Sequence, residues 1–454
     1  MMANVSTARI RLVLSVVAYL VIFNLAYDTL VVPTFESWGL GYHPLSAPIF
    51  WTTSILAVVP ALWMPVKFTR ASILLFYVQY FLIFIPASII APQSTRPELT
   101  QRDALVLVTM MFVGLSIVEA AYLIPPRRLR ILRVSPETFW LGFTLLTGIT
   151  FSYLVLTLGG TFRLVSFQDI YDLRTAMSEA LGATGSRFGF YAQTLLLGAL
   201  LPLLFATSMY RRRWWVAAPV AAAYLFIFGI GGAKAAALAI IYLPAAFLLM
   251  SRRPSRIPLY VLFGLSALLL SGYASQFLLP PKTNIAYLAV VHFRFFSVPP
   301  LTIPQYFSFF QSHPVTHLSH VTGFNRLLEY PYVLDVPYTV GSYFYGIDVG
   351  LNSGFWAADG LAGFGIWGIP LVSLLCAFVF WMLDSVSADL NPTFVGLMLI
   401  FCTVYFGNVS LFTTLVTGGL ATLMFLAAVA PRDEHGLIRS PSFAYLRRIA
   451  SENN

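Results

Sequence analysis

Five cations stand where an apolar chain has least reason to keep them. Arg163, Arg174 and Arg187 fall in one polar stretch between two apolar runs. Lys234 follows Gly231-Gly232-Ala233 in a hairpin between two more, and Arg294 sits inside His292-Phe293-Arg294-Phe295-Phe296. Holding a cation at the edge of an apolar segment is expensive, and a lipid phosphate would offset the cost, so Lys234 beside its Gly-Gly turn is a candidate site residue. Snorkelling of its ammonium to the interface is the alternative. For the arginines the alternative is ion pairing with nearby acids, as Arg96 and Arg102 have beside Glu98 and Asp103.

Other chemistries are poorly supplied. No Asp-x-Asp pair is present to hold a nucleotide through Mg²⁺. His313, His317 and His320 are spaced like metal ligands, but Pro314 interrupts the turn and no Cys or acid completes the set, so no metal and no cofactor is expected. The two cysteines, Cys376 and Cys402, lie inside apolar runs, which argues against a disulfide framework. Asp28 and Glu119 are acids near the ends of apolar segments. Each could mark an ion path or make a satisfied polar contact.

The elements that must position these groups follow from composition. Of 454 residues 58% are hydrophobic and 10% charged, and the mean hydropathy is +0.80. A soluble chain carries about 25% charged residues, so soluble, fibrous and disordered classes are excluded. Continuous rather than alternating apolar runs exclude a β-barrel. Runs of spanning length cover 10–32, 49–66, 71–91, 104–124, 139–158, 188–210, 214–230, 235–250, 257–277, 364–383, 393–407 and 411–430. The expected fold is therefore all-α, a polytopic membrane bundle of about 12 transmembrane helices forming one integral domain over 1–454. The first run is too long for a signal-peptide core and is expected to stay as a helix.

The net charge of +9 acquires meaning once it is sorted by connection. Alternate connections hold Arg9 and Arg11, Lys67 and Arg70, the arginines of 127–133, Arg211 to Arg213, and Arg252, Arg253 and Arg256, while the tail holds Arg432, Arg439, Arg447 and Arg448. These are most of the 27 Lys and Arg residues. The positive-inside rule then places both termini in the cytoplasm, and the basic patches need no nucleic acid to explain them. Two long loops, 159–187 and 278–362, are left on the outer side. They are rich in Phe, Tyr, Pro and Leu, so they are expected to fold against the membrane surface.

Three places in those loops carry a resemblance. Asp169-Ile170-Tyr171-Asp172-Leu173-Arg174 precedes Gly182-Ala183-Thr184-Gly185, leaving ten residues between Arg174 and Gly185. Arg294 leads through Pro299 and Pro300 to Tyr306. Asn352-Ser353-Gly354 runs through Asp359-Gly360 to Phe364-Gly365 and Gly368. In these motifs, and in its topology, the chain resembles the Wzy-type O-antigen polymerases, the repeat-unit polymerases of bacterial inner membranes. It departs from the pattern at Gln305, where a second Arg-x10-Gly spacing would need Gly. The resemblance implies a GT-C-like or O-antigen ligase-like bundle that transfers a glycan from undecaprenyl diphosphate to a lipid-linked repeat unit at the periplasmic face, among membrane lipids and with a chain-length regulator as a possible partner. With that chemistry, Arg174, Arg294 and Lys234 are expected as diphosphate and transition-state contacts, with Arg163 and Arg187 behind them and Asn352 as a substrate contact. Arginine suits that role through its planar, permanently charged fork. The general base would come from Asp172, Glu329, Asp359 or His292. Asp172 equally serves to pair Arg174, and Asp359 to order its loop. An O-antigen ligase and a lipid-linked oligosaccharide flippase are the competing readings.

Overall fold

The computed structural model describes residues 2–38, 40, 45–97, 99–165, 169–183, 188–252 and 254–439. Among these, helices make up the fold and β-pairing is limited to isolated bridges such as Arg432 with Ile438. Ten helices are long and apolar enough to cross a membrane: α1 Thr7–Trp38, α3 Ile73–Gln93, α4 Gln101–Leu123, α5 Pro136–Thr161, α7 Phe188–Tyr210, α8 Trp214–Gly231, α9 Lys234–Arg252, α10 Pro254–Leu278, α11 Pro281–Ser312 and α13 Trp356–Val386. Shorter apolar helices are α2 Ala47–Leu62, α14 Pro392–Phe406 and α16 Leu420–Val429. The remainder include α6 Ile170–Ala183, α12 Val336–Tyr345 and α15 Leu411–Val416. The chain is a multi-pass helical membrane protein.

Caps written in the sequence set several boundaries. Thr100 accepts the Asp103 amide at the start of α4, and Ser135, followed by Pro136 and Glu137, accepts the Thr138 amide at the start of α5. The apolar run 411–430 is not one helix but α15 and α16, parted at Thr417–Gly419, where Gly419 has φ +84°. The break is a packing requirement. A Cβ on Gly198 of α7 would overlap the Gly418 carbonyl, and the Cys402 thiol donates to the carbonyls of Gly198 and Gly418 at 3.5 and 3.3 Å.

The connections sort into two ends. Arg9 donates to the carbonyls of Ala61 and Met64, and Arg70 to that of Ile124 at 2.9 Å. Arg128 pairs with Asp389 at 3.0 Å, Arg211 with Asp433 at 2.5 Å, and Arg432 donates to Val386 at 3.0 Å. These contacts gather residues 61–70, 121–130, 211, 386–389 and 427–438 at one arginine-rich end. At the other, loop-rich end, Tyr345 donates to the Trp38 carbonyl at 3.1 Å, Gln305 to that of Arg96 at 3.2 Å, and the Arg163 amide to that of Gly229 at 2.9 Å.

Helix α11 has membrane-spanning length, yet both of its ends belong to the loop-rich end. It doubles back from α10, with Asn284 bonded to Ser275 at 2.7 Å, Tyr287 to Ser271 at 2.5 Å and His292 to the Leu269 carbonyl at 3.0 Å. In its last turn Gln311 lies 3.5 Å from Asp103 at the head of α4. It therefore dips along α10 and lies across the bundle. The most extensive helix pair is α4 with α13, where Gly114 lets Ser373 and Trp356 approach and the Trp356 indole donates to Ser373 at 2.9 Å. Between apolar helices in lipid, such small-residue contacts and buried hydrogen bonds are what hold a bundle.

Candidate functional site

The turn 405–411, joining α14 to α15, is where the candidate residues meet. Its own fold is local. The Asn408 and Val409 amides donate to the Tyr405 carbonyl at 2.8 and 3.0 Å, and Ser410 caps α15 by accepting the Thr413 amide at 2.9 Å. What remains of its polar capacity is spent on other segments. Asn352 donates to the Asn408 side chain at 2.7 Å, the Ser353 amide donates to the Asn408 carbonyl at 3.1 Å, and the Leu411 amide donates to Asp359 at 2.6 Å.

Asp359 is fully buried. One carboxylate oxygen takes the Leu411 amide; the other lies 3.9 Å from Nε2 of His320. His320 Nδ1 is 2.7 Å from the Thr316 hydroxyl, which donates to the Ala362 carbonyl at 2.9 Å. A hydroxyl has one proton, so Thr316 accepts from Nδ1–H. Nε2 and the second Asp359 oxygen thus face each other across a gap too wide for a direct hydrogen bond. With the imidazole neutral both atoms are acceptors, so a hydroxyl placed between them would donate its proton to one of the two. The segment bearing His320 is strained, with His317 at φ +49° and Leu318 at φ +67°. The Tyr306 hydroxyl, buried and without a partner among the described residues, is near enough to feel the Asp359 charge.

Arg294 is exposed and shares a cleft of about 70 Å³ with Asn352, Trp38, Gln305 and Tyr345. Gln305, the departure from the family pattern, is fully buried and ties the Arg96 carbonyl to the Tyr345 hydroxyl, 2.8 Å away. Arg96 lies over the Tyr345 ring at 5.4 Å, and burial above all pushes that phenol's pKa up. Gln305 therefore has a structural reason to be larger than Gly.

The other cations gather at the α8–α9 hairpin. Gly232 ends α8 at φ +59°, the left-handed conformation that glycine adopts without strain. A Cβ there would lie 2.8 Å from Ile170 and 3.6 Å from Arg174 Cγ, so α6 is pressed against the turn. Lys234, half-buried, opens α9; Arg163 is tied to Gly229; and the charge of Arg174 reaches Tyr405 in the central turn. Beside the turn an apolar cleft of about 470 Å³ runs between α3, α9, α10, α11 and α14. Tyr242, Leu265, Phe295, Val404 and Asn408 are on its walls.

Other candidates lie elsewhere. His292 is fully buried and packs α11 on α10 at Gly272, and Glu329 stays exposed beyond the 3-10 turn Phe324–Arg326. Asp172 is exposed in the first turn of α6. Arg187, with Thr184 and Gly185, lies outside the described residues. Among the described residues no group of three His, Cys, Asp or Glu could hold a metal, and His313 instead stacks on Phe309 at 4.0 Å. His320, Thr316, Tyr405, Asn408 and Ser410 were not singled out for this site from the sequence. The signal for Tyr405, Asn408 and Ser410 is a polar Gly-Asn-Val-Ser turn set between two apolar runs, and that for His320 is the histidine spacing considered for a metal.

Fold and site define a polytopic all-α membrane protein with a polar centre at one end of its bundle. No family model, no curated protein and no solved structure matches this chain.

Proposed function

We propose that this protein is a membrane glycosyltransferase that polymerises oligosaccharide repeat units carried on undecaprenyl diphosphate, at the periplasmic face of a bacterial inner membrane. The observation that carries the reading is the turn 405–411, which binds Asp359 and Asn352 directly and borders an apolar cleft. The positive-inside rule assigns the arginine-rich end and both termini to the cytoplasm. The loop-rich end then faces the periplasm.

In this mechanism the cleft takes part of the isoprenoid chain, and Arg174, Lys234 and Arg294 neutralise the diphosphate. A sugar hydroxyl of the acceptor repeat unit attacks the anomeric carbon of the donor glycan. The carbon–oxygen bond to undecaprenyl diphosphate breaks, and its electron pair leaves with the diphosphate, whose growing charge the guanidiniums stabilise. The hydroxyl proton passes to the Asp359–His320 pair. A ligase would differ in its acceptor, a core lipid instead of a second repeat unit.

The flippase reading has one observation of its own. Asp28, bonded to Asn24 at 3.1 Å, lines with Ser54 a cavity of about 560 Å³ among apolar side chains of α1 and α2. One experiment separates the readings. Purified protein given a lipid-linked repeat unit should produce a ladder of glycan lengths, and Arg174→Ala or Arg294→Ala should abolish it while the protein remains in the membrane. If no substrate is consumed but proteoliposomes move the lipid across the bilayer, the polymerase proposal is wrong.

A further inference from the structure

A second cavity, of about 450 Å³, opens at the arginine-rich end between α1, the 63–73 segment and α4, with Arg9, Arg70, Ser116 and Glu119 on its walls. Glu119 is 4% exposed, yet among the described residues neither of its carboxylate oxygens has a hydrogen-bond partner of ordinary geometry; the Trp63 indole is its nearest donor and the Arg9 charge reaches it. The buried Ser116 hydroxyl on the same wall also has no partner among the described residues. An acid kept for structure looks different. Asp384, at the same end, takes the Ser72 amide at 3.1 Å and the Ser72 hydroxyl at 2.7 Å. Bare acceptors among apolar helices are costly, and a ligand that donates to them removes the cost.

The two arginines are anchored on backbone carbonyls, and neither forms an ion pair within 4 Å among the described residues. Arg9 donates through Nη1 to the carbonyls of Ala61 and Met64, and Arg70 through Nη1 to those of Ile124 and Ala121 while lying over the Tyr122 ring. Backbone carbonyls cancel no charge, and no bond from Nε or Nη2 of either residue is present among the described residues. The cavity thus holds two cationic forks and three bare acceptor oxygens. A primary ammonium has three N–H donors, and a phosphodiester is the anion that guanidinium forks fit best. The mouth is apolar. Trp63 is 47% and Leu123 86% exposed at its rim, as suits a ligand whose tails lie in the bilayer.

We propose that this cavity binds the headgroup of a primary-amine glycerophospholipid, with the ammonium on Glu119 and Ser116 and the phosphodiester on Arg9 and Arg70. The bound lipid ties α1, α3 and α4 together in the leaflet at the arginine-rich end. The site is independent of the catalytic proposal, since it rests on residues at the opposite end of the bundle.

The test is lipid retention by the full-length protein, read by native mass spectrometry after exchange into nanodiscs containing dioleoyl phosphatidylethanolamine, phosphatidylglycerol or phosphatidylcholine. Phosphatidylethanolamine should be retained at least about tenfold more strongly than the other two, because only it presents N–H donors and a cation together. Glu119→Gln, nearly isosteric, should reduce that preference to within about twofold, with helix content by circular dichroism confirming the fold. Ser116→Leu leaves every charge in place but fills the cavity, and should abolish retention of the amine lipid. Equal retention of the three lipids by the natural protein, an unchanged preference in Glu119→Gln, or unchanged retention in Ser116→Leu would each overturn the proposal. So would displacement of the lipid by an equal concentration of soluble glycerophosphoethanolamine, which would assign the cavity to a free ligand.

Discussion

Replacing Asp359 by Asn separates a catalytic role for this acid from a structural one. The amide has almost the volume of the carboxylate and can still accept the Leu411 amide, now 2.6 Å from the carboxylate oxygen. What disappears is the charge in front of His320. Exchanging a hydrogen bond to a charged acceptor for one to a neutral acceptor costs about 1–2 kcal/mol of stability. If Asp359 and His320 take the acceptor's proton, the rate of chain growth should fall by about 10²–10⁴, which is roughly 3–5 kcal/mol of barrier. The two expectations differ enough to be told apart. The assay is the initial rate of ladder formation per mole of folded protein, with a melting temperature measured on the same preparation.

A structural Asp359 predicts the reverse pattern, a clear drop in melting temperature with a rate per folded protein within about threefold of the natural chain. That outcome would refute the proton-transfer assignment. Asp359→Ala is a poor substitute, because it strands the Leu411 amide in a buried site and so costs stability of its own. His320→Gln offers the independent check. Its side chain is only 13% exposed but lies at the edge of the buried group. If the two residues serve one step, the double variant should be no slower than the worse single variant, whereas independent roles would multiply.

Gly232→Ala should cost about 1–2 kcal/mol from its left-handed backbone and, by pushing Ile170 away, separate Arg174 from Lys234. Ladder synthesis should fall further than the melting temperature accounts for. Leu265→Trp should obstruct the apolar cleft, raising KM for a long-chain isoprenoid donor and leaving that for a short-chain analogue little changed; equal effects on both would place the chain elsewhere. Tyr330, outside the membrane-length helices, has its phenol pushed up from 10.0 to about 12, chiefly by burial and then by Asp335. The neutral phenol is the form the fold prefers, so its contribution is intact below pH 10 and is lost as pH rises from 10 through about 12. Proteolysis of the 322–335 segment should rise over that window in the natural chain and less so in Tyr330→Phe.

Composition made the helices legible, because a run of about 20 apolar residues has few folded alternatives in lipid. Counting apolar length passed over the break at Thr417–Gly419, although Thr417-Gly418-Gly419 stands there in the run 411–430; what fixes it is the backbone of α7 at Gly198, a tertiary contact. Nor could it see that α11 returns to the end from which it started. That follows from Ser275, Ser271 and Leu269 bonding its first half and Asp103 meeting its last turn. Arg174 and Lys234 were legible as a pair of suspects because cations at apolar edges demand a reason. Their proximity was not, for it depends on Gly232 admitting α6 against the hairpin.

The central turn shows why the rest of the site was hidden. Gly407-Asn408-Val409-Ser410 reads in sequence as a short connection whose polar residues serve only itself, and Ser410 does cap its own helix. A helix start, however, also leaves amides that the cap does not satisfy. The Leu411 amide is one of these, and Asp359 takes it. A carboxylate brought in for that local reason has its second oxygen turned toward His320, and the imidazole is oriented in turn by Thr316 and the Ala362 carbonyl. Each step is ordinary hydrogen-bond accounting, but each partner comes from a different part of the chain. The acid could be picked out from its surroundings in sequence; the histidine that faces it could be placed beside it only in space.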